Sequence, residues 1–438
     1  MGQDRDRRQR PGGSEDRRTA HRCPRDGRHR RAVPPRHHRL CARRDRIAGV
    51  GGLRHRDRVP LPRRGDPRPA RSLRGEEDQG TRAHHRRDQQ DQGRTQRSRV
   101  HAGDRHRAVV GPRLSGTSSL GDPAGEFTPL DPEEAIFTPG PWEHRDVSAN
   151  GARFHVVEAG EGPAVVLLHG FPTFWWSWRD HIARLADAGH RVIAMDLRGY
   201  AGSDHTPHGY DPFTLAHDVA GVIRSLGEES ATIVGHGWGG LIAWTMPVLT
   251  PEVVRAIVPV SMPHPRRLRR ALLTDGLQRG RSMYAIGFQW PFLPERSLMA
   301  DDCVRVAELI EQWSGTPGFP DAHTARMYRS AFALWPTAHC AVEYHRWAFR
   351  SFLRSDGLRY ARQMEAAIEV PVLQIHGAAD TSVLPRVAEG SAEWATNDYE
   401  FSLVPETGHF PHEEDPDGFA GILMPWLDKH RANHHRGD

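Results

Sequence analysis

The order of strand-like and helix-like segments is the feature that most restricts what this chain can fold into. Residues 163–169, 191–196 and 231–235 form short apolar runs, as expected for strands that are buried on both faces of a parallel sheet. Each run is followed by a segment with apolar residues three and four positions apart, which predicts an amphipathic helix. A repeat of roughly 25–35 residues per strand and helix predicts an α/β fold with a mostly parallel, doubly wound sheet.

A long helical segment interrupts this alternation. Before it, the sequence predicts a hairpin over 145–159 with its turn at Asn150-Gly151, a helix from 238 and a strand over 254–262. Residues 264–365 are helical and rich in aromatic residues. The alternation then resumes, with strands predicted at 371–376 and 399–404 and helices at 384–396 and 416–430. We therefore predict a core of residues 127–263 and 366–438, and a helical lid of residues 264–365, inserted after the sixth strand.

The first 120 residues have a different composition. They contain no Phe, Tyr or Trp, and their 33 Arg and 14 Asp or Glu give a net charge of +19, whereas the remainder carries −14. Such a segment cannot bury enough apolar surface to offset its chain entropy, so we predict a disordered, Arg-rich extension over residues 1–126. Two interpretations of it remain open. It could be an arm that binds nucleic acid or membrane, or the translation of GC-rich DNA from a misplaced start or a frameshift. The single lysine of the chain, Lys429, favours the second.

The acidic remainder indicates no nucleic-acid binding by the folded part. No run of 18 apolar residues predicts a membrane span, and no apolar segment follows the basic N-terminus, so a cytoplasmic location is expected. The four cysteines show no metal-ligand spacing. The sequence therefore predicts no metal and no cofactor, and it leaves the oligomeric state open.

Distinctive motifs follow four of the predicted strands. They are His169-Gly170-Phe171-Pro172, Gly235-His236-Gly237-Trp238-Gly239-Gly240, Gly377-Ala378-Ala379-Asp380 and Gly408-His409-Phe410-Pro411. Ligands bind at the carboxyl ends of the strands in such sheets, so these four loops are expected to meet at one site beneath the lid.

With these motifs in this order, the sequence resembles the α/β-hydrolase family, and within it the epoxide hydrolases. The resemblance implies that His409 is a general base oriented by Asp380. It also implies that the backbone amides of Phe171 and Trp238 form an oxyanion hole, and that the substrate is a small apolar molecule.

One position departs from the family pattern. The turn between strand and helix reads Gly-His-Asp-Trp-Gly-Gly in epoxide hydrolases, and its aspartate attacks the epoxide to form an alkyl-enzyme ester. Here Gly237 occupies that position. The flanking glycines Gly235 and Gly239 fix the register, because a sharp turn leaves no room there for side chains.

The lid departs as well. Epoxide hydrolases use two lid tyrosines to donate hydrogen bonds to the epoxide oxygen, and Tyr284 corresponds to the first. At the second position His345 aligns best, with Tyr344 one residue earlier, and adjacent helical residues do not share a face. A histidine with a pKa near neutrality could donate in place of the tyrosine. Three further residues are predicted to line the substrate pocket: His169, Trp290 and Tyr344.

The sequence thus predicts an epoxide-hydrolase-like protein with impaired or altered catalysis. Alternatives are a catalytically dead ligand-binding protein, a relative of the haloalkane dehalogenases, and a cofactor-free enzyme that uses only the His409–Asp380 base. A carboxylesterase is disfavoured, because no serine stands at the turn.

Overall fold

A computed structural model of the protein describes residues 128–431. The predicted N-terminal extension, residues 1–126, lies outside the described residues. Within them, the chain forms one eight-stranded sheet covered by helices. The strands are β1 (Glu143–Ala149), β2 (Ala152–Ala159), β3 (Ala164–Leu168), β4 (Arg191–Met195), β5 (Ala231–His236), β6 (Val254–Val260), β7 (Val372–Gly377) and β8 (Tyr399–Val404).

The sheet has the strand order β1-β2-β4-β3-β5-β6-β7-β8. The first hairpin pairs β1 with β2, and β2 pairs with β4, both antiparallel, while all the other pairs are parallel. Every residue of β3 is buried. Because successive side chains of a strand point to opposite faces, both faces of the sheet are covered there, as the uniformly apolar run at 163–169 predicted.

The helices follow the predicted alternation. They are α1 (Pro132–Ile136), α2 (Arg179–Asp187), α3 (Pro212–Ser225), α4 (Trp238–Leu249), α5 (Pro265–Thr274), α6 (Gly276–Arg281), α7 (Tyr284–Gly287), α8 (Leu293–Trp313), α9 (Ala322–Phe332), α10 (Thr337–Arg350), α11 (Ser355–Gln363), α12 (Pro385–Glu389), α13 (Pro411–Glu414) and α14 (Pro416–His430). Helices α5 to α11 lie between β6 and β7, so the helical lid follows the sixth strand as predicted.

One predicted helix is wrong in extent. Residues 384–396 do not form a single helix, since α12 ends at Glu389 and a 3₁₀ segment, Gly390–Trp394, follows it. Glycine is a poor helix former. A Cβ at Gly390 would also lie 2.3 Å from Nε of Arg267, which packs against this junction from α5.

A buried ion pair holds the loop after β4 against α3. The guanidinium of Arg198 donates to both carboxylate oxygens of Asp218, with Nε–Oδ2 and Nη2–Oδ1 distances of 2.7 and 2.6 Å, and both side chains are nearly inaccessible. Asp218→Ala leaves this charge buried and unpaired, so we expect the free energy of unfolding in urea to fall by about 3–5 kcal/mol. As a control, Glu393→Ala removes the half-exposed partner of Arg270 and should change it by less than about 1 kcal/mol. Equal losses in the two variants would contradict the prediction.

Candidate active site

The carboxylate of Asp380, after β7, meets the imidazole of His409, after β8. The His409 Nδ1–Asp380 Oδ2 distance is 2.9 Å, and both side chains are buried. The other oxygen, Oδ1, accepts hydrogen bonds from the amides of Ser382 and Val383 at 2.7 and 2.9 Å. Burial raises the pKa of Asp380, but the charge and hydrogen bonds of His409 and His376 outweigh that effect and hold the pKa below its ordinary value. The carboxylate is therefore ionised at neutral pH.

A second imidazole shares this carboxylate. The Nε2 atom of His376 lies 3.1 Å from Oδ2 of Asp380 and 2.9 Å from the carbonyl oxygen of Val383. An ionised carboxylate only accepts hydrogen bonds, so His409 carries a proton on Nδ1 and turns Nε2 away from Asp380. The contact of His376 with the acid is visible only in the structure.

Gly237 forms the sharp turn between β5 and α4. It has a φ of 52° and a ψ of −114°, and its amide donates to the carbonyl of Val260 at 3.0 Å. A Cβ at Gly235 would lie 2.1 Å from the carbonyl oxygen of Gly239, and one at Gly239 would lie 2.3 Å from that of Leu168. These contacts explain the flanking glycines, because neither position can hold a side chain.

Position 237 itself has room for a side chain. A Cβ there would lie 3.8 Å from Nε2 of His409 and 3.5 Å from Cα of Gly170, both ordinary van der Waals distances. The side chain would thus begin beside the free nitrogen of the imidazole. Glycine leaves this place open.

Beside the turn lies a small cavity of about 50 Å³. It is lined by Phe171, Gly237, Trp238, Met262, Tyr284, Trp313, His345, Ser382, Val383 and His409. The backbone amides of Phe171 and Trp238 donate to no other group among residues 128–431. Tyr284 and Trp313 also line a wider cavity of about 270 Å³, which includes Arg281 and Arg305, so a long substrate could extend in that direction.

The lid places Tyr284 and His345 side by side over this cavity, with ring centroids 5.7 Å apart. The Tyr284 hydroxyl bonds to no other group in the described part of the chain, and burial raises its pKa above the ordinary value. It is therefore a protonated donor that is available to a ligand.

His345 is not such a donor, which corrects the sequence prediction. Its Nδ1 lies 3.1 Å from the carbonyl oxygen of Ala341, and its Nε2 accepts a hydrogen bond from Nε1 of Trp238 at 3.3 Å. Burial lowers the pKa of His345 to about 4, although the hydrogen bond to Ala341 opposes this shift. At neutral pH the ring carries one N–H group, which donates to the Ala341 carbonyl. No N–H remains to donate to a substrate.

The three residues predicted to line the pocket lie outside the cavity. Nε2 of His169 accepts from the amide of Leu197 at 3.0 Å, which links the ends of β3 and β4. The hydroxyl of Tyr344 donates to the carbonyl of Arg198 at 2.7 Å and so faces the core. The side chain of Trp290 is 63% exposed on the lid surface.

Glu414 is an organising residue that sequence reasoning missed. Its Oε2 accepts from the amide of Gly408, next to His409, at 2.8 Å, and from the amides of Gly315 and Thr316 in the lid at 2.8 and 3.0 Å. Its Oε1 accepts from the amide of Phe410 at 3.0 Å. One carboxylate therefore joins the histidine loop to the lid. A glutamate near a helix end gives no sign of this role in the sequence.

The fold and the site define a hydrolase of the α/β class, and comparison with known proteins agrees. The sequence pattern of the family described as alpha/beta hydrolase fold matches residues 163–416. The AB hydrolase superfamily protein YfhM of Bacillus subtilis is 33% identical over 286 residues, covering 64% of this chain and 96% of that protein. Epoxide hydrolase A of Mycobacterium tuberculosis is 32% identical over 320 residues, covering 65% of this chain and 96% of the relative.

Solved structures give the same result. The crystal structure of Epoxide Hydrolase A from Mycobacterium thermoresistibile matches with a TM-score of 0.57 at 29% identity, covering 66% of this chain and 98% of that one. The chain therefore belongs to the α/β-hydrolase fold family, in its epoxide-hydrolase branch. Among the described residues, no helix is long and apolar enough to cross a membrane, and no group of His, Cys, Asp and Glu side chains could hold a metal ion.

Proposed function

We propose that the protein is an epoxide-hydrolase-like enzyme for a small apolar epoxide, with altered and slow catalysis because position 237 lacks a carboxylate. The observation that carries this proposal is the place of a side chain at 237. Its Cβ would lie 3.8 Å from the free Nε2 of His409. The base, the carboxylate behind it and a tyrosine donor are present, and only the group that would attack the epoxide is missing.

In this proposal, water occupies the place of the missing carboxylate. Nε2 of His409 removes a proton from that water as its oxygen bonds to an epoxide carbon, and Asp380 stabilises the resulting imidazolium. The epoxide C–O bond breaks, and its oxygen takes a proton from the hydroxyl of Tyr284. The imidazolium returns its proton to the tyrosinate through solvent, so epoxide and water give a diol in one step.

The source of the added oxygen tests this mechanism. In a single turnover of an aryl epoxide in ¹⁸O-labelled water, the wild-type full chain is expected to place the label in the diol at once. Gly237→Asp is expected to place unlabelled oxygen from its own carboxylate in the first diol formed. His409→Ala measures the background rate. Ring opening by the wild type no faster than in His409→Ala would sink the proposal.

Removal of the lid donor has a separate expected effect. In the Gly237→Asp background, Tyr284→Phe should lower the rate of ring opening by about 10²-fold, since it removes a hydrogen bond to the developing alkoxide. Tyr344→Phe is the matched control, because that hydroxyl bonds to the Arg198 carbonyl outside the cavity. It should leave the rate within a few-fold. Initial rates on one epoxide measure both effects, and equal effects would contradict the assignment of Tyr284.

A ligand-binding protein is the second candidate, and the two nitrogens of His345, both already bonded within the protein, favour it. The missing nucleophile and the missing second donor would both be tolerated in a protein that binds without reaction. Because Trp238 and Trp313 line the cavity, such a protein would show saturable quenching of tryptophan fluorescence by an apolar epoxide that it does not consume. Consumption of that epoxide above the His409→Ala background would exclude this candidate.

A further inference from the structure

We propose that the open place beside Gly237 is a binding site for a small carboxylate anion, such as acetate or formate. The bound anion would serve as an external nucleophile in place of the absent side chain. The catalytic part of this inference rests on the proposed function, because it uses the same epoxide, the same base and the same tyrosine donor. The binding part stands on the geometry of the site alone.

The size of the place fits such an anion. The cavity measures about 50 Å³, and one water-sized group needs roughly 10–15 Å³. Three or four such groups can therefore enter, which is the size of formate or acetate. Apart from its two chain neighbours, a Cβ at 237 would meet only Gly170 and His409 within 4 Å, at 3.5 and 3.8 Å, so the carbon that would carry the missing carboxylate has room.

Backbone amides supply the complement to a negative charge. The amides of Phe171 and Trp238 flank the cavity and donate to no group among the residues that the structure describes. Trp238 is also the first residue of the 12-residue helix α4. The start of a helix carries partial positive charge and unsatisfied N–H groups, which favour anions.

The imidazole of His409 is the second, independent feature that points to a ligand. The residue is 6% exposed, and its Nδ1 is bonded to Asp380. Its Nε2 has no partner in residues 128–431, and it lies beside the open place at 237. As a base, Nε2 accepts hydrogen bonds, so it would hold the anion through a water that donates one hydrogen to Nε2 and the other to the carboxylate. No Asp or Glu lines the cavity, and the oxygens of Asp380 already accept four hydrogen bonds, so this carboxylate is shielded from the anion.

The chemistry balances with the anion as a recycled reagent. A carboxylate oxygen bonds to an epoxide carbon while the epoxide C–O bond breaks, and the epoxide oxygen takes the proton of Tyr284, which leaves a 2-hydroxyalkyl ester. His409 then deprotonates a water that attacks the ester carbonyl. The ester C–O bond breaks, the departing alkoxide takes the proton of the imidazolium to complete the diol, and the proton of the carboxylic acid returns to the tyrosinate. The net reaction is epoxide plus water to diol.

An acetate titration of the wild-type full chain tests the nucleophile. The rate of aryl epoxide opening is measured in buffer free of carboxylates, with sodium acetate replacing sodium chloride at constant ionic strength. We expect a saturable rise of about 10-fold or more, and ¹⁸O from labelled acetate in the diol. Trimethylacetate, which is too large for the cavity, should give no rise. In Gly237→Ala the added Cβ occupies the position that the methyl group of acetate would take, and in Gly237→Asp the side chain fills the whole place, so neither should respond to acetate.

Binding is measured separately, from the ¹⁵N resonances of the His409 imidazole during the same titration without epoxide. A saturable shift in the wild type that is lost in Gly237→Ala supports the site. If acetate changes neither the wild-type rate nor the resonances, this inference is wrong, and the proposed function stands where the wild type still opens the epoxide faster than His409→Ala. The last outcome is a saturable shift of the wild-type resonances with no epoxide turnover in the wild type or in Gly237→Asp. It supports the anion site and overturns both the nucleophile role and the proposed function.

Discussion

Gly237→Asp is expected to raise the turnover of an aryl or alkyl epoxide by about 10²- to 10⁴-fold. Removing the nucleophile from an assembled catalytic group costs about 10⁶ in rate, while the remaining site keeps roughly 10³ to 10⁴ over water. The introduced carboxylate would start from a Cβ 3.8 Å from Nε2 of His409, next to the unpaired amides of Phe171 and Trp238. We expect less than the full factor, because His345 has no proton to donate to the epoxide oxygen. Initial rates of diol formation measure the change.

The same substitution should cost stability. Gly237 has a φ of 52°, and a side chain in that region costs about 1–3 kcal/mol, measured as the free energy of unfolding in urea. Gly237→Asn is the matched control, since it has the same shape and the same backbone strain but no nucleophile. It should lose similar stability and gain no turnover. A folded Gly237→Asp protein with no gain over Gly237→Asn would mean that the cavity is no longer suited to epoxide opening.

The second large effect is a trapped intermediate. In the Gly237→Asp background, His409→Gln should leave ester formation intact but lower steady-state turnover by about 10⁴-fold or more, because no base remains to activate the water that cleaves the ester. The expected result is one equivalent of covalent adduct, detected by intact mass as the protein plus one epoxide. The added mass should lie on the peptide that contains position 237.

The control for this experiment combines Gly237→Asn with His409→Gln. That protein keeps the altered shape of the site but has no carboxylate to alkylate, so its mass should not change. Multiple turnovers by the variant with Gly237→Asp and His409→Gln would show that another group activates water. They would remove His409 from the mechanism.

Much of the fold could be predicted from the sequence, because the central strands of the sheet are short and mostly apolar. The predicted strands at 191–196, 231–235 and 399–404 differ from the observed strands by at most one residue at either end. The turn at Gly237 was also predictable, since the glycines at 235 and 239 have no room for a Cβ. The helix predicted at 384–396 ends early, at Glu389, because Gly390 is a poor helix former and the helical pattern alone does not weigh a single glycine.

The lid was harder to predict than the core. Sequence alignment placed His345 near Tyr284, and the structure places the two rings 5.7 Å apart. Whether a histidine donates or accepts depends on its partners, and those partners, the Ala341 carbonyl and the Trp238 indole, became known only from the fold. Tyr344 shows the same limit, because its burial against Arg198 depends on how α10 packs rather than on the residues around it.

The carboxylate of Glu414 joins the lid segment 314–316 to the loop that carries His409. The amide of His409 is also bonded to the carbonyl of Trp313, at 2.8 Å. Hydrogen bonds thus couple the position of this lid segment to the position of His409. Any displacement of that segment would pull on the backbone of this loop, so the alignment of the imidazole with Asp380 depends on where the lid stands.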